Sequence, residues 1–309
     1  MPDQVCILMA TWNGADHLQA QLDSFAAQDH PDWRLIAADD GSGDATLSIL
    51  QEFAARSPQG VTLTRGPGRG SAANFIALLA DAPDCDWIAL ADQDDVWLPD
   101  RLSRGIAALS GHSGDGPALY CSATLHCDAD LQNPHPSRAV PRSPGFRNAL
   151  LQNIAAGNTI LLNRAAAELV RKTAPAALEI PDLVAHDWWL YQLISGAGGT
   201  VIYDSHPTLY YRQHGRNQVG ANAGFRAGRT RLAMLLKGRF SAWNRANIAA
   251  LRAAKAHLTE ENHALLEAFA QMRAQPLVAR LRAFGRLRLY RQTRIGQAAM
   301  WVANALGRL

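Results

Sequence analysis

A chain of 309 residues, 48% hydrophobic and 18% charged, is long enough for one large α/β domain with an appendage, and it excludes a disordered protein. The net charge of +3 hides an asymmetry: residues 1–224 carry 14 Lys and Arg against 24 Asp and Glu, whereas residues 225–309 carry 16 against 3. No basic leader precedes the short apolar run at 5–10, and no apolar stretch approaches the ~20 residues of a membrane span, so a cytoplasmic protein is expected.

In chain order, residues 5–10 read as a buried strand, Asn13-Gly14 as a turn, and Leu18, Leu22 and Phe25 as one face of a helix. A second strand at 34–38 ends on Asp39-Asp40-Gly41-Ser42. Leu47, Leu50 and Phe53 mark the next helix, and 61–64 a third strand. Gly66, Gly68 and Gly70 punctuate a turn before a helix at 75–79. They follow the third strand rather than the first, so they make a poor dinucleotide fingerprint. A fourth strand at 87–91 runs into Asp92, Asp94 and Asp95, with a helix start expected at Pro99. This alternation predicts a Rossmann-like, mainly parallel sheet flanked by helices, with ligands at the strands' carboxyl ends.

Further strands are expected at 118–125, 157–162, 200–204 and 209–212, helices at 164–172 and 186–195, and an exposed loop at 133–145. Near residues 220–228 the composition turns small and then basic. This divides the chain into a catalytic region, 1–224, and a basic α-helical region, 225–309. There Leu277, Leu281, Phe284, Leu287 and Tyr290 form a stripe among arginines. Two readings stand: a helical subdomain whose arginines face water, or a basic amphipathic helix on an anionic membrane. No nucleic-acid-binding motif is recognisable, so nucleic acid is not expected as a partner. The cysteines, Cys6, Cys85, Cys121 and Cys127, lack C-x-x-C spacing and read as buried free thiols.

Carboxylates crowded at the end of a buried strand repel one another and call for a cation. Hard oxygen ligands on one short turn suit Mg²⁺ or Mn²⁺, which usually arrives with a substrate's phosphates. A Trp such as Trp12 can cover a flat base, and Asp40 can accept from a base or ribose, although D-G-S is also ordinary turn chemistry.

The ordered set VCILMATWNGADHLQAQLDSFAAQ, RLIAADDGSGDAT and ALADQDDVWLPDRL resembles the inverting family-two glycosyltransferases of GT-A fold, over about residues 5–220. AAGNTILLNR, HDWWL and YRQHGRNQVG resemble bacterial rhamnosyltransferase-like members. The resemblance implies that Ala10, Trp12 and Asp40 contact the nucleotide, that Asn74 approaches the nucleotide or sugar, and that Asp92 and Asp94 form the D-x-D element. Within it, Asp94 would bind the metal and Asp92 the ribose or sugar. Asp95 lies beyond the element and reads as a helix cap. Asp187 matches the general base, with His186 replacing the first acid of the usual Glu-Asp pair; capping of the following helix is the structural alternative. His214 is expected to reach the metal or diphosphate, and Gly157 and Asn158 to shape the acceptor side.

The implied function is inverting, metal-dependent transfer of a sugar, rhamnose among the candidates. The donor is a dTDP- or UDP-sugar, and the acceptor a glycan or a polyprenyl-diphosphate-linked sugar of bacterial surface polysaccharide, at the inner face of the cytoplasmic membrane. A nucleotidyltransferase and a non-catalytic nucleotide-sugar-binding module remain as alternatives.

Overall fold

The computed structural model describes residues 4–112, 114–183, 185–213 and 239–309. Its first part alternates as expected: β1 (Val5–Thr11), α1 (Ala15–Ala26), β2 (Trp33–Asp39), α2 (Thr46–Arg56), β3 (Val61–Arg65), α3 (Ser71–Ala80) and β4 (Trp87–Ala91). The strands pair in parallel in the order β3-β2-β1-β4, so their carboxyl ends share one edge. Strand alternation divides the core. Cys6 and Leu8 of β1 pack with Phe75 and Leu79 of α3, while Val5, Ile7 and Met9 pack with Leu18, Leu22 and Phe25 of α1.

Beyond β4 the sheet becomes mixed. It continues through β5 (Val96–Trp97), α4 (Arg101–Ser110), β6 (Ala118–Cys127), β7 (His135–Pro136), α5 (Phe146–Ala149), a 3₁₀ turn (Gly157–Thr159), β8 (Leu161–Asn163), α6 (Arg164–Leu178), α7 (His186–Gly196) and β9 (Thr200–Arg212). The strand order runs on as β8-β6-β9-β5, with β7 on β6. Strand β8 is antiparallel to both β4 and β6, β6 is parallel to β9, and β5 is antiparallel to β9. The mainly parallel expectation therefore holds for the first four strands and again for the β6–β9 pair, within a sheet that is mixed as a whole. Reversing direction at β8 brings the segment before it, and with it the start of α7, to the carboxyl edge of β4.

Several sequence expectations change. The two extended segments at 200–204 and 209–212 are one strand, β9, carrying irregularities opposite Ser122–Ala123 and Ala123–Leu125. Helix α4 begins at Arg101 behind Asp100, so Pro99 precedes the helix, and its carbonyl accepts from the Asp29 N–H. Residues 157–162 do not form one strand. The Gly157 N–H and the Asn158 carbonyl are engaged by Asp187 and Arg101, which takes that backbone out of the ladder. All four cysteines are buried free thiols, as expected.

The last part comprises α8 (Arg239–Ala253), a 3₁₀ turn (Lys255–His257), α9 (Glu260–Arg273), α10 (Leu277–Leu287) and α11 (Arg294–Ala305). Thr259 and Thr293 cap α9 and α11 by accepting from the Asn262 and Gly296 N–H groups. Leu266, Phe269, Met272, Phe284 and Met300 share a core with Phe146, Leu150, Leu151 and Trp188, so these helices pack on α5 and α7. The boundary expected near 220–228 lies outside the described residues. Nor do all the arginines face water. Arg280 donates to the carbonyls of Gln275, Asn304 and Ala305, and Arg291 to that of Leu151.

Candidate active site

Strand β4 delivers the acidic turn at the carboxyl edge, where one carboxylate oxygen each from Asp92, Asp94 and Asp95 lies within 4.8 Å of the others. The three carboxylates differ in environment. Asp92 and Asp94 are half-buried, whereas Asp95 is fully buried. Asp95 accepts from Asn158 Nδ2 at 2.6 Å and from the Arg212 N–H at 3.3 Å. It is therefore a brace and not a helix cap: α4 begins six residues later, behind Asp100. Burial, then the charges of Asp92 and Asp94, push its carboxyl well above the usual range.

Two arginines hold this turn: Arg101, which the sequence did not single out, and Arg212 of the YRQHG segment, expected near the metal or diphosphate with His214. Arg101 is buried, lies 3.5 Å over the Trp97 ring, and donates to the carbonyls of Leu90 and Asn158 at 3.0 and 2.6 Å. Burial lowers its pKa to about 9. Arg212, at the end of β9, donates from Nε to the Asp94 carbonyl and from a terminal nitrogen to the Ala129 carbonyl. Arg101 was not legible, because an Arg opening a helix ordinarily points to water.

Across the turn stands Asp187, the second residue of α7. Its Oδ1 accepts from the Trp188 N–H at 2.7 Å and its Oδ2 from the Gly157 N–H at 3.2 Å; Asn153 also donates to it. It sits inside the first turn rather than at the cap, which is Ala185. Burial raises its pKa to about 6 against the pull of those donors. The pKa of Asp92 rises to about 7, through burial first and then the charges of Asp94 and Asp187. Gly157 and Asn158, adjacent in the chain, donate to Asp187 and to Asp95 respectively, so Asp187 and the acidic turn meet at one piece of backbone.

His186, the other half of the pair, does not open to an acceptor. It is 8% exposed, stacks on Phe75 at 4.0 Å, and burial lowers its pKa to about 3, so it is neutral. Its Nε2 abuts Gly157, where an added Cβ would lie 2.8 Å away. Asn158 is likewise buried as the brace between Asp95 and Arg101. Gly157 is the half-buried member of this acceptor-side group, held against Asp187.

On the other side, β1 ends beside the same turn. The Gln93 side chain, the central residue of Asp92-Gln93-Asp94, clamps the backbone of Trp12: Oε1 accepts its N–H at 2.9 Å and Nε2 donates to its carbonyl at 3.0 Å. Only a glycine at 14 leaves room for that clamp, since a Cβ there would stand 2.3 Å from Gln93 Oε1. The Trp12 ring is 60% exposed. Ala10 is half-buried in β1, in register with Ala38 of β2.

Asp39 is locked in its turn by the Gly41 and Ser42 N–H groups, whereas Asp40 reaches out and accepts from the Gly68 and Gly70 N–H groups at 2.9 Å each. The glycine-rich turn is thus a cradle for Asp40: Gly68 and Gly70 adopt φ of +69° and +86°, and a Cβ at Gly66 would collide with Asp40 Oδ1. Asn74, at 1% exposure, donates to the Ala38 carbonyl and presents no surface to a donor. His214 lies outside the described residues.

A divalent cation fits this site. The donors are hard carboxylate oxygens on one turn, with one oxygen from each of the three aspartates within 4.8 Å of the others. Asp94, with Asp92, would hold it.

Comparison with known proteins shows the family and the fold. The dTDP-rhamnosyl transferase RfbG of Shigella flexneri is 30% identical over 240 residues, covering 74% of this chain and 78% of that protein. Among solved structures, S. aureus TarS 1–349 in complex with UDP-GlcNAc superimposes with a TM-score of 0.54 at 12% identity, covering 99% of this chain and 90% of that one. The mannosyltransferase PcManGT of Pyrobaculum calidifontis, in complex with GDP-Man and Mn²⁺, gives 0.50 at 21% identity, covering 98% and 86%. These neighbours share the GT-A fold. The sequence signature of glycosyl transferase family 2 spans residues 6–165, and with the RfbG relationship it makes this chain a glycosyltransferase of family 2.

Proposed function

We propose that this enzyme transfers a sugar from a nucleoside diphosphate sugar to a hydroxyl of a glycan or lipid-linked acceptor, with inversion, in bacterial surface polysaccharide synthesis. Rhamnose carried on dTDP is the favoured donor, on the strength of the rhamnosyl transferase relative. The observation that carries the reading is that one turn, Gly157-Asn158, binds both carboxylate groups: the Gly157 N–H donates to Asp187 at 3.2 Å and Asn158 Nδ2 to Asp95 of the acidic turn at 2.6 Å.

In this reading the donor lies along the carboxyl edge, with its base against the exposed Trp12 ring near Asp40 and its diphosphate at the acidic turn. Asp94, with Asp92, holds Mg²⁺ or Mn²⁺, whose chemistry there is to offset negative charge on a departing diphosphate. Asp187 removes the acceptor hydroxyl's proton as that oxygen attacks the anomeric carbon from the face opposite the diphosphate, so one displacement inverts the centre. The three donors on Asp187 fix its orientation, and its pKa of about 6 leaves it ionised at neutral pH yet basic enough to accept a proton.

The test pairs two readouts on Asp187→Asn. With dTDP-rhamnose and other nucleotide sugars in the presence of Mn²⁺, the variant should keep donor binding and lose turnover by about 10²–10⁴-fold. Loss of both together would make Asp187 structural, and undiminished turnover would remove it from the mechanism.

A further inference from the structure

The described residues include eight exposed large apolar side chains, and six fall in the last 33 positions: Leu277, Val278, Ile295, Trp301, Val302 and Leu306. On α11, Ile295, Ala298, Val302 and Leu306 recur at intervals of three and four and share one outward stripe, while Met300, Ala303 and Asn304 turn inward. Ile295 is 85% exposed. The stripe is continuous with α10. Trp301 packs edge-on against Phe284 with ring centroids 4.7 Å apart, and its ring borders Gly285. The outward side of α10 there carries Val278, Arg282 and Arg286, all exposed.

Charge identifies the partner. Residues 274–309 hold seven arginines and no Asp or Glu. Arg280 is occupied by three carbonyls, but Arg282, Arg286, Arg288, Arg294 and Arg308 are exposed. A second copy meeting this face would oppose arginine to arginine with no local acid to compensate. A nucleic acid would satisfy the arginines and leave an aliphatic stripe in water. An anionic bilayer surface satisfies both, taking Ile, Val and Leu below the headgroups, Trp at their level and arginine on the phosphates. No described helix is long and apolar enough to cross a membrane, so the stripe would lie in the surface plane.

We propose that the α10–α11 pair is a docking surface for membranes rich in anionic phospholipid. It is separate from the catalytic cleft and does not depend on the donor or acceptor assigned there.

Full-length protein is sedimented with vesicles of phosphatidylcholine alone and of phosphatidylcholine with phosphatidylglycerol. Binding should be at least about tenfold stronger to the anionic vesicles and should fall as salt is raised. Ile295→Glu with Val302→Glu should lower that binding about tenfold or more, because a charge then replaces each inserted side chain. Arg282→Glu with Arg286→Glu should lower it comparably and flatten the salt dependence. These side chains are exposed, so melting temperature and nucleotide-sugar binding should match the wild type in both variants. Wild-type binding indifferent to lipid charge, or variants that bind like the wild type, would overturn the proposal. So would a dimer that Ile295→Glu dissolves, which would give the face to a second copy.

Discussion

The carboxyl edge of the sheet and the C-terminal helices each concentrate charge of one sign, and they treat it in opposite ways. At the edge, Asp92, Asp94 and Asp95 are crowded on one turn, Asp95 is braced by Asn158 and Arg212, and burial raises the pKa of Asp92 to about 7. In the helices, the arginines are dispersed: Arg280 and Arg291 satisfy backbone carbonyls, while Arg282 and Arg286 stand in water. Like charges forced together in a half-buried cleft mark a place where binding of a cation relieves strain. Like charges spread over an exposed helix face mark a surface that attracts without being strained.

Asp94→Asn should have the largest effect. It removes one of the two half-buried carboxylates left to hold a cation, and turnover should fall at least about 100-fold, with weaker stabilisation by Mn²⁺ in a thermal melt. Full activity would show that the crowded charge has another purpose.

Next comes pH. Asp187 must be ionised to act as a base, so turnover should fall about tenfold per pH unit below its pKa of about 6 and level off above it, as a pH–rate profile reads. The stability consequence has the opposite sign. A carboxyl raised from 3.8 to about 6 binds its proton more tightly in the fold than in the unfolded chain. Its contribution to stability is therefore complete below the lower value and lost as pH climbs through the higher one.

Asn158→Ala should cost about 2 kcal/mol in denaturant unfolding, because it leaves the buried Asp95 carboxylate without its 2.6 Å partner while the backbone bond to Arg101 survives. Arg252→Ala, which breaks the exposed pair with Glu267, should change stability by no more than about 0.5 kcal/mol. A large loss there would blur the contrast between a strained edge and a relaxed helical surface.

Much of the first half was legible because each strand from β1 to β4 is a short apolar run punctuated by turn residues, and local pattern suffices for such elements. Legibility fell where backbone is diverted by distant side chains. Residues 157–162 look like a strand until Arg101 and Asp187 engage the turn at Gly157 and Asn158. Four site residues changed their meaning in the same way: Asp95 and Asn158 became braces, Asn74 a buried tie to β2, and His186 a buried ring against Phe75. Gln93 was hidden as the variable position of its motif, and its clamp on Trp12 shows only when β1 and β4 lie side by side.

By itself the sequence determined the βα alternation, the acidic turn after the fourth strand, the candidate base in HDWWL and the polarity of charge along the chain. Each of these is set by residues close to one another in sequence. Tertiary structure alone decided that β8 reverses, that the turn before it therefore binds both Asp187 and Asp95, and that α11 turns an aliphatic stripe outward. These depend on which groups meet across long stretches of chain, where hydrogen-bond satisfaction and burial, rather than local propensity, choose the arrangement.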